Sequence, residues 1–192
     1  MKVETGPIEG MRLIHPRVFE DARGSFFETF HPNRYREAGL SLPFVQDNRS
    51  ISGRAVLRGL HYQVLRPQGH LITLTRGSVF DVGVDLRPDS PTFGQSVSAI
   101  LSADQPCQLY LPPGVAHGFC VLSDHAEIWY KCTDLYQPGD EGGLLWSDPD
   151  IGISWPISNP VISPRDAAYP RLRDIPTDRL PQIRQACGDT SR

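Results

Sequence analysis

The sequence predicts an all-β domain, a sandwich or barrel of the jelly-roll type, on three observations. Eighteen prolines and 17 glycines are spread through 192 residues and divide the chain into short segments. Several of these segments are rich in β-branched and aromatic residues, which favour strands. Turn sequences at 88–91, 103–106 and 112–114 separate them at regular intervals, as in jelly rolls. We expect one domain over residues 1–180 and a polar C-terminal tail over 181–192, because this length suits a single sizeable core.

The clearest strand spans residues 78–86, which are rich in valine and flanked by Arg-Gly and Arg-Pro. Its side chains alternate between a more polar face (Val79, Asp81, Gly83, Asp85) and an apolar face (Phe80, Val82, Val84, Leu86). The same reasoning predicts strands at 71–75, 95–101, 108–111, 118–122 and 126–136.

Helices are expected to be few and short. Residues 33–40 form the best candidate, which Gly39 would terminate. A single turn at 163–169 has Ser163 as its N-cap and Pro164 at its first helical position.

Composition excludes several classes of protein. The chain is 39% hydrophobic and 21% charged with a formal net charge of −3, whereas a nucleic-acid binder would carry a basic excess. No apolar run approaches the roughly 18 residues that span a membrane, and the N-terminus shows no signal peptide. The four cysteines form no Cys-x-x-Cys pair, which is typical of reduced thiols in a cytoplasmic protein.

Two histidines, His61 and His70, lie nine residues apart and raise three alternatives: metal ligands, core residues or proton-transfer groups. A metal site on such a barrel typically uses two histidines one residue apart, but Gln63 stands at the second position. His61 and His117 alone would leave an ion short of the roughly three protein ligands that it usually needs. Nucleophilic catalysis is also disfavoured, because there is no Gly-x-Ser-x-Gly sequence, and packing explains Cys120 near His117 better than catalysis does.

Eight stretches between about residue 10 and residue 170 resemble, in the right order, the motifs of the dTDP-4-dehydrorhamnose 3,5-epimerase family. They are DARGSFFETF, FVQDNRSIS, VLRGLHYQ, GSVFDVGVDLRPDSPTFGQ, LYLPPGVAHGFCVLS, EIWYKCTDLYQP, EGGLLWSDPDIGISWP and SPRDAAYP. The resemblance implies a cupin-like jelly-roll barrel, a homodimer, and a nucleotide-linked 4-keto-6-deoxyhexose as substrate. It also implies that no metal or organic cofactor takes part.

The chemistry of such a substrate requires three groups. The 4-keto group acidifies the hydrogens at C3 and C5, so a base can remove one to give an enolate, and an acid on the other face can return a proton with inversion. By the resemblance, His61 is the base, Asp166 orients its ring, and Tyr130 is the acid. Tyrosine stays protonated until the enolate forms, because its ordinary pKa is about 10.

The resemblance also assigns substrate-binding positions. Arg23 and Arg58 would bind the diphosphate, although a surface salt bridge with Asp21 or Glu28 is the alternative reading of these arginines. Gln46 and Asn48 would recognise thymine or another pyrimidine, with Glu28 in the same site, and some first-motif residues would come from the partner subunit. The remaining binding positions are His117, Tyr136, Glu141, Trp146 and Arg165, the last of which stands where lysine is common.

One position departs from the family pattern. The family carries a lysine after the Gln-Gly turn, where it would face the 4-keto oxygen, and this chain has His70. An imidazole still donates a hydrogen bond in either protonation state, so enolate stabilisation can persist. Our hypothesis is a variant enzyme whose turnover falls above neutral pH as His70 loses its proton; the alternative is a substitution without consequence.

The reaction expected is the conversion of dTDP-4-dehydro-6-deoxy-D-glucose to dTDP-4-dehydro-L-rhamnose. A mono-epimerase acting only at C3 or only at C5, or an enzyme for another nucleotide sugar, is the nearest alternative. A catalytically silent nucleotide-sugar binding protein is the alternative from another class. A metal-dependent isomerase or dioxygenase is disfavoured by Gln63.

Overall fold

Two antiparallel sheets face each other in the computed structural model, which describes residues 1–40 and 43–183. The strands are β1 (Lys2–Thr5), β2 (Arg12–His15), β3 (Phe19–Asp21), β4 (Gly24–Phe26), β5 (Gln46–Gly53), β6 (Leu57–Gln63), β7 (His70–Arg76), β8 (Ser78–Asp85), β9 (Ser96–Ser102), β10 (Gln108–Leu111), β11 (Val115–Val121), β12 (His125–Cys132) and β13 (Glu141–Gly143). One sheet has the order β1-β2-β10-β7-β12-β5 and the other β13-β6-β11-β8-β9, while β3 and β4 form a separate hairpin. The predicted all-β jelly-roll class is therefore confirmed.

The main core lies between the sheets. Ile72, Leu109 and Ile128 contribute to it from the six-stranded sheet, and Val79 and Val121 from the five-stranded sheet. Burying each of these side chains contributes about 1.5–3 kcal/mol. The sheets are therefore held together by apolar packing, and the strands carry their polar side chains into the space beyond this core.

Strand β8 has one apolar face and one more polar face, as predicted, and it is the more polar face that points into the interior. The apolar face, with Val82 and Val84, packs outward beneath a C-terminal segment that includes Ile175 and Leu180. The more polar face points between the sheets, where Asp81 is fully buried. A buried aspartate requires a partner, and the structure supplies one in the site described below.

The predicted strands at 71–75, 78–86, 95–101 and 108–111 agree with β7 to β10 to within about one residue at each end. Strand β11 begins three residues before the predicted Gly118, and β12 ends at Cys132 rather than at residue 136. The earlier end of β12 has a local cause, because the Thr133 hydroxyl accepts a hydrogen bond from the Gly69 N–H and starts a turn.

Both predicted helices are present. Helix α1 (Pro32–Glu37) precedes Gly39, whose φ of 89° reverses the chain as predicted. Helix α2 (Pro164–Ala167) has Ser163 as N-cap, with its hydroxyl accepting from the Asp166 N–H. Short 3-10 turns follow at Leu172–Asp174 and Thr177–Arg179. The predicted tail lies outside the described residues from position 184 onward.

Candidate active site

A cleft of about 480 Å³ opens between the two sheets. Its lining comes from β5, β7 and β12 on one side and from β6, β11 and β13 on the other. Among the lining residues are these predicted site residues: Gln46, Asn48, Arg58, His61, His70, His117, Tyr130, Tyr136 and Glu141. Residues that are up to about 95 positions apart in the chain thus share one cavity.

His61 is held by a buried carboxylate behind the cleft. Its Nε2 lies 3.0 Å from Asp166 Oδ1, while Asp166 Oδ2 accepts a bond of 3.1 Å from the Gly59 N–H. Burial alone would raise the pKa of Asp166, but the hydrogen bonds from His61 and Gly59 outweigh burial and keep its pKa below the usual value. Asp166 is therefore an anion that can accept but not donate.

This pairing selects the tautomer of His61. Because the Asp166 carboxylate only accepts hydrogen bonds, the neutral ring must carry its proton on Nε2. The Nδ1 lone pair is then free to take a proton. Gly59 allows β6 to lie close to β11 beside this pair. It has a φ of 117°, and a Cβ at this position would lie 2.6 Å from the Cα of Gly118.

A second histidine–carboxylate pair, which the sequence reasoning missed, faces the same cleft. His117 pairs directly across β6 and β11 with His61, and its Nε2 lies 3.0 and 3.1 Å from the two carboxylate oxygens of Asp81. Asp81 is fully buried and His117 is 9% exposed. A charged residue inside a valine-rich strand was the available signal, because burying a carboxylate is costly unless it is paired.

His70 lies in the wall of the cleft, with its ring centroid 5.6 Å from that of His117 and 5.6 Å from that of Tyr130. Its Nδ1 is buried and has no hydrogen-bond partner among the described residues. Burial lowers the pKa of His70 to about 3, with smaller contributions from His117 and His61. The hypothesis that His70 loses a proton near neutral pH is therefore wrong, because the side chain is already neutral there.

Tyr130 stands on β12 opposite Asn48 of β5 and is half-buried. Burial raises the pKa of its hydroxyl, and the neighbouring Cys132 adds to the shift, while Asn48 and Arg58 oppose it. The hydroxyl therefore remains protonated at neutral pH and can serve as a proton donor. The raised pKa agrees with the role predicted for Tyr130.

A polar network orders the β5 side of the cleft. Gln46 donates to Asn48 over 3.0 Å, and its side-chain oxygen accepts a bond of 2.9 Å from the Tyr136 N–H. The Tyr136 hydroxyl donates to Glu141 over 3.3 Å, and the Arg165 guanidinium also pairs with that carboxylate. The predicted residue Arg165 thus reaches the cleft through Glu141 rather than by lining it. The Tyr136 ring is 45% exposed and is available for stacking.

Arg58 provides a guanidinium at the cleft. Its Nε donates to the Ser52 hydroxyl over 3.0 Å, which fixes the side chain and leaves its terminal nitrogens available. Ser50 lies on the same face of β5 as Ser52, two residues before it. It also lines the cleft and was not predicted as a site residue. Its hydroxyl is buried without a hydrogen-bond partner in the described part of the chain.

Besides Arg165, three predicted binding residues do not line the cleft of their own chain. Arg23 is on the β3–β4 hairpin and pairs with Asp21 over 2.5 Å, and Glu28 pairs with Arg34 over 2.9 Å. Trp146 lies beside Trp155, with ring centroids 6.5 Å apart, and its carbonyl accepts from the Trp155 indole N–H. We therefore correct the expectation for Trp146, which packs against another tryptophan rather than facing the cleft.

Gln63, which stands where a metal site would need a second histidine, binds backbone groups of two loops. Its side-chain oxygen accepts from the Gln137 N–H over 2.7 Å and its amide donates to the Arg66 carbonyl over 2.9 Å. Within residues 1–40 and 43–183, no group of three or more His, Cys, Asp or Glu side chains is arranged to hold a metal ion. In that same part of the chain no helix is long and apolar enough to cross a membrane.

Comparison with known proteins identifies the family of this chain. Residues 5–174 match the family described as dTDP-4-dehydrorhamnose 3,5-epimerase. The chain belongs to this family. It is 46% identical over 172 residues to the dTDP-4-dehydrorhamnose 3,5-epimerase of Methanothermobacter thermautotrophicus, covering 88% of this chain and 93% of that protein. The enzyme of the same name from Neisseria gonorrhoeae is 52% identical over 159 residues, and the match covers 82% of this chain but only 48% of the longer relative.

Solved structures give the same result for the fold. A crystal structure of dTDP-6-deoxy-D-glucose-3,5-epimerase from Legionella pneumophila, in complex with dTDP-4-keto-L-rhamnose, superposes with a TM-score of 0.91 at 44% identity. The match covers 96% of this chain and 99% of that one. A more distant relative from Streptomyces niveus, 40% identical over 168 residues, is named dTDP-4-dehydrorhamnose 3-epimerase.

Proposed function

We propose that this epimerase-family chain converts dTDP-4-dehydro-6-deoxy-D-glucose to dTDP-4-dehydro-L-rhamnose by proton exchange at C3 and C5. One observation carries the proposal. The cleft contains a histidine with a free Nδ1, fixed by Asp166, together with a tyrosine hydroxyl that stays protonated. A base and an acid in one cavity are what removal and return of a carbon-bound proton require.

In the proposed mechanism, His61 Nδ1 takes the proton from the carbon next to the keto group. The C–H electron pair forms the C=C bond of the enolate, and the carbonyl oxygen takes the negative charge. The Asp166 carboxylate stabilises the imidazolium that results. Tyr130 then donates its hydroxyl proton to the other face of the same carbon, the keto group re-forms, and the centre is inverted.

The enolate oxygen needs a hydrogen-bond donor, and His70 supports that role without carrying charge. Its Nδ1 is buried without a hydrogen-bond partner among the described residues, so a neutral ring with its proton on Nε2 leaves no unpaired N–H at that buried atom. A fixed neutral donor inside a partly dehydrated cleft stabilises a developing oxyanion effectively, because it needs no reorganisation during the reaction. Along the cleft, Arg58 would bind the diphosphate and Tyr136 would stack on the base.

Proton NMR in deuterated water tests the reaction directly. With dTDP-4-dehydro-6-deoxy-D-glucose as substrate, we expect the C3 and C5 signals to disappear and a product of rhamno configuration to accumulate. His61→Asn should abolish exchange at both carbons, because the asparagine cannot take up a proton. Loss of only one signal would establish a mono-epimerase, and binding without any exchange would establish a silent binding protein.

The proposed assembly is a homodimer in which each β3–β4 hairpin completes the cleft of the partner. On its own chain the hairpin projects Arg23 away from the cleft, and Phe26 is 71% exposed. Apolar side chains are also exposed on the outer face of β5 and β12, where Ile51 and Trp129 lie. These surfaces support an interface between two copies, because exposed apolar patches on a folded domain mark association sites.

Mixing two inactive variants tests this assembly. Arg23→Ala removes the diphosphate contact and His61→Asn removes the base, so each homodimer should be nearly inactive. If Arg23 serves the partner's cleft, a mixed dimer contains one complete site, and co-refolded protein should recover about a quarter of the wild-type activity, by random pairing of protomers. No recovery from protein shown to be dimeric by light scattering would mean that Arg23 acts within its own chain, and an active Arg23→Ala homodimer would mean that Arg23 has no role in the reaction.

The proposed compartment is the cytoplasm. Cys107, Cys120 and Cys132 carry free thiols, which supports a reducing environment, and Cys187 lies outside the described residues. Fractionation of the producing cells would test this part of the proposal.

A further inference from the structure

Tyr169 lies beside His61 and has no part in the proposed mechanism. The centroids of the two rings are 5.8 Å apart and the ring planes meet at 79°, an edge-to-face arrangement. Asp166, the hydrogen-bond partner of His61, lies in helix α2, and Tyr169 follows two residues after the end of that helix. One segment of chain therefore contributes both the carboxylate that fixes one nitrogen of His61 and an aromatic ring that packs against its side.

The position of the Tyr169 ring depends on Gly143. This glycine pairs directly with His61 across β13 and β6, and a Cβ placed on it would lie 2.3 Å from three atoms of the Tyr169 ring. The ring therefore packs directly on the β13 backbone. Next to this contact, a hydrogen bond of 2.8 Å from the Leu145 N–H to the Pro170 carbonyl joins the segment after Gly143 to the segment after Tyr169.

The hydroxyl of Tyr169 does not explain the residue. It is buried without a hydrogen-bond partner of good geometry among the described residues, which is a cost rather than a gain. Burial raises the pKa of this hydroxyl to about 12, and Glu141 adds to the shift, so it is not a base at neutral pH. Tyr169 is also absent from the lining of the cleft, so a substrate in the cleft would not contact it. The ring itself is what the site uses.

We infer that Tyr169 is a positioning residue for His61, and that Gly143 is kept free of a side chain so that the Tyr169 ring can press against the imidazole. This inference rests on the proposed function of His61 as the base. The Asp166 bond alone leaves the imidazole ring of His61 free to rotate while its Nε2 stays bonded. The Tyr169 ring blocks this rotation on one side and thereby directs Nδ1 into the cleft.

Steady-state kinetics of four variants of the full chain test the inference. Tyr169→Leu should lower kcat about 10-fold with KM unchanged within about twofold, because a misplaced base slows proton transfer without removing a substrate contact. Tyr169→Phe keeps the ring and should retain kcat. Gly143→Ala should lower kcat as Tyr169→Leu does, although the tyrosine is present. The double variant Tyr169→Leu/Gly143→Ala should be no slower than Tyr169→Leu alone, because the clash has been removed.

The outcomes separate the inference from the proposed function. An active wild type whose Tyr169→Leu variant, folded at the assay temperature, keeps kcat within twofold would overturn the inference and leave His61 as the base. A Tyr169→Phe variant as slow as the leucine variant would also overturn it, because the hydroxyl would then be the active part. A wild type that exchanges neither C3 nor C5 protons would overturn the proposed function itself. If Gly143→Ala does not fold, the comparison of phenylalanine with leucine at 169 still decides the question.

Discussion

Asp166→Asn is the substitution for which the structure predicts the largest effect with the least structural change. The carboxylate now accepts from two donors, the His61 Nε2–H at 3.0 Å and the Gly59 N–H at 3.1 Å. In the asparagine variant, the amide oxygen must face Gly59, because a backbone N–H can only donate. The amide NH₂ then faces His61 and donates to Nε2, which forces the ring proton onto Nδ1 and removes the free lone pair.

The expected loss in kcat is about 10³- to 10⁴-fold, the size that the same exchange produces in histidine–aspartate pairs of hydrolases. A 10⁴-fold loss corresponds to about 5.5 kcal/mol in the activation free energy. Because the Gly59 bond is kept, the free energy of unfolding should change by less than about 1 kcal/mol. The assay is exchange at C3 and C5 followed by NMR, beside urea denaturation of the same preparation.

Asp166→Ala is the matched control. It leaves the Gly59 N–H unsatisfied and should destabilise the fold by about 1–3 kcal/mol, but it no longer forces the wrong tautomer on His61. Per folded molecule, we therefore expect the alanine variant to be faster than the asparagine variant. An asparagine variant within tenfold of wild type would refute the tautomer reasoning, and equal rates for the two variants would leave only the charge of Asp166 as its contribution.

Three further substitutions have defined outcomes. Tyr130→Phe should lower epimer formation by about 10²- to 10⁴-fold, measured by product NMR, because the acid is lost; an active phenylalanine variant would assign the acid elsewhere. His70→Gln should remove an acid-dependent loss of stability. Unfolded His70 takes up a proton below about pH 6.5 and folded His70 only below about 3, so wild type should lose about 2 kcal/mol more than the variant between pH 8 and pH 5 in urea titrations. Equal pH dependence of the two proteins would mean that His70 is not buried as a neutral ring. Asp81→Asn should lower kcat while leaving the binding of dTDP by Arg58 intact, and calorimetry should show an unchanged dissociation constant for dTDP. Weakened dTDP binding would mean that Asp81 supports nucleotide binding instead.

The strands that the sequence predicts well are those with runs of apolar and β-branched residues, such as β7, β8 and β10. Strands β5 and β6 were not identified as strands, although they carry much of the site. In β5, Gln46, Asn48 and Ser50 line the cleft, while the alternating Asp47 and Arg49 are exposed and pair with Lys131 and Glu127. Both faces of this strand are polar, so the alternation of apolar and polar residues that signals a half-buried strand is missing.

The proposed catalytic residues were identified by resemblance, and their contacts could not have been found by spacing. His61 and Asp166 are 105 residues apart, and only the pairing of strands and the position of α2 bring them to 3.0 Å. Asp81 had a signal of its own, a charge within a buried strand, but nothing in the sequence named His117 as its partner. Tyr169 lies in the motif SPRDAAYP, but the sequence predicted no role for it, because an edge-to-face contact with His61 leaves no pattern along the chain.

The electrostatics of the cleft connect the neutral His70 to the proposed chemistry. His61 and His117 each already lower the pKa of His70, so a cation on His70 would be repelled by the imidazolium that forms when His61 takes a proton. A neutral His70 avoids this repulsion, and the Asp166 anion stabilises the imidazolium without opposition from that side. The cost is a weaker hold on the enolate oxygen, because a hydrogen bond from a neutral donor is roughly half as strong as one from a cation. The neutral His70 therefore avoids repulsion of the His61 imidazolium but binds the enolate oxygen more weakly than a cation would. A His70→Lys variant should hold the enolate longer, measurable as more deuterium incorporated per product formed. A lysine variant with unchanged exchange and partitioning would show that charge at this position does not govern the reaction.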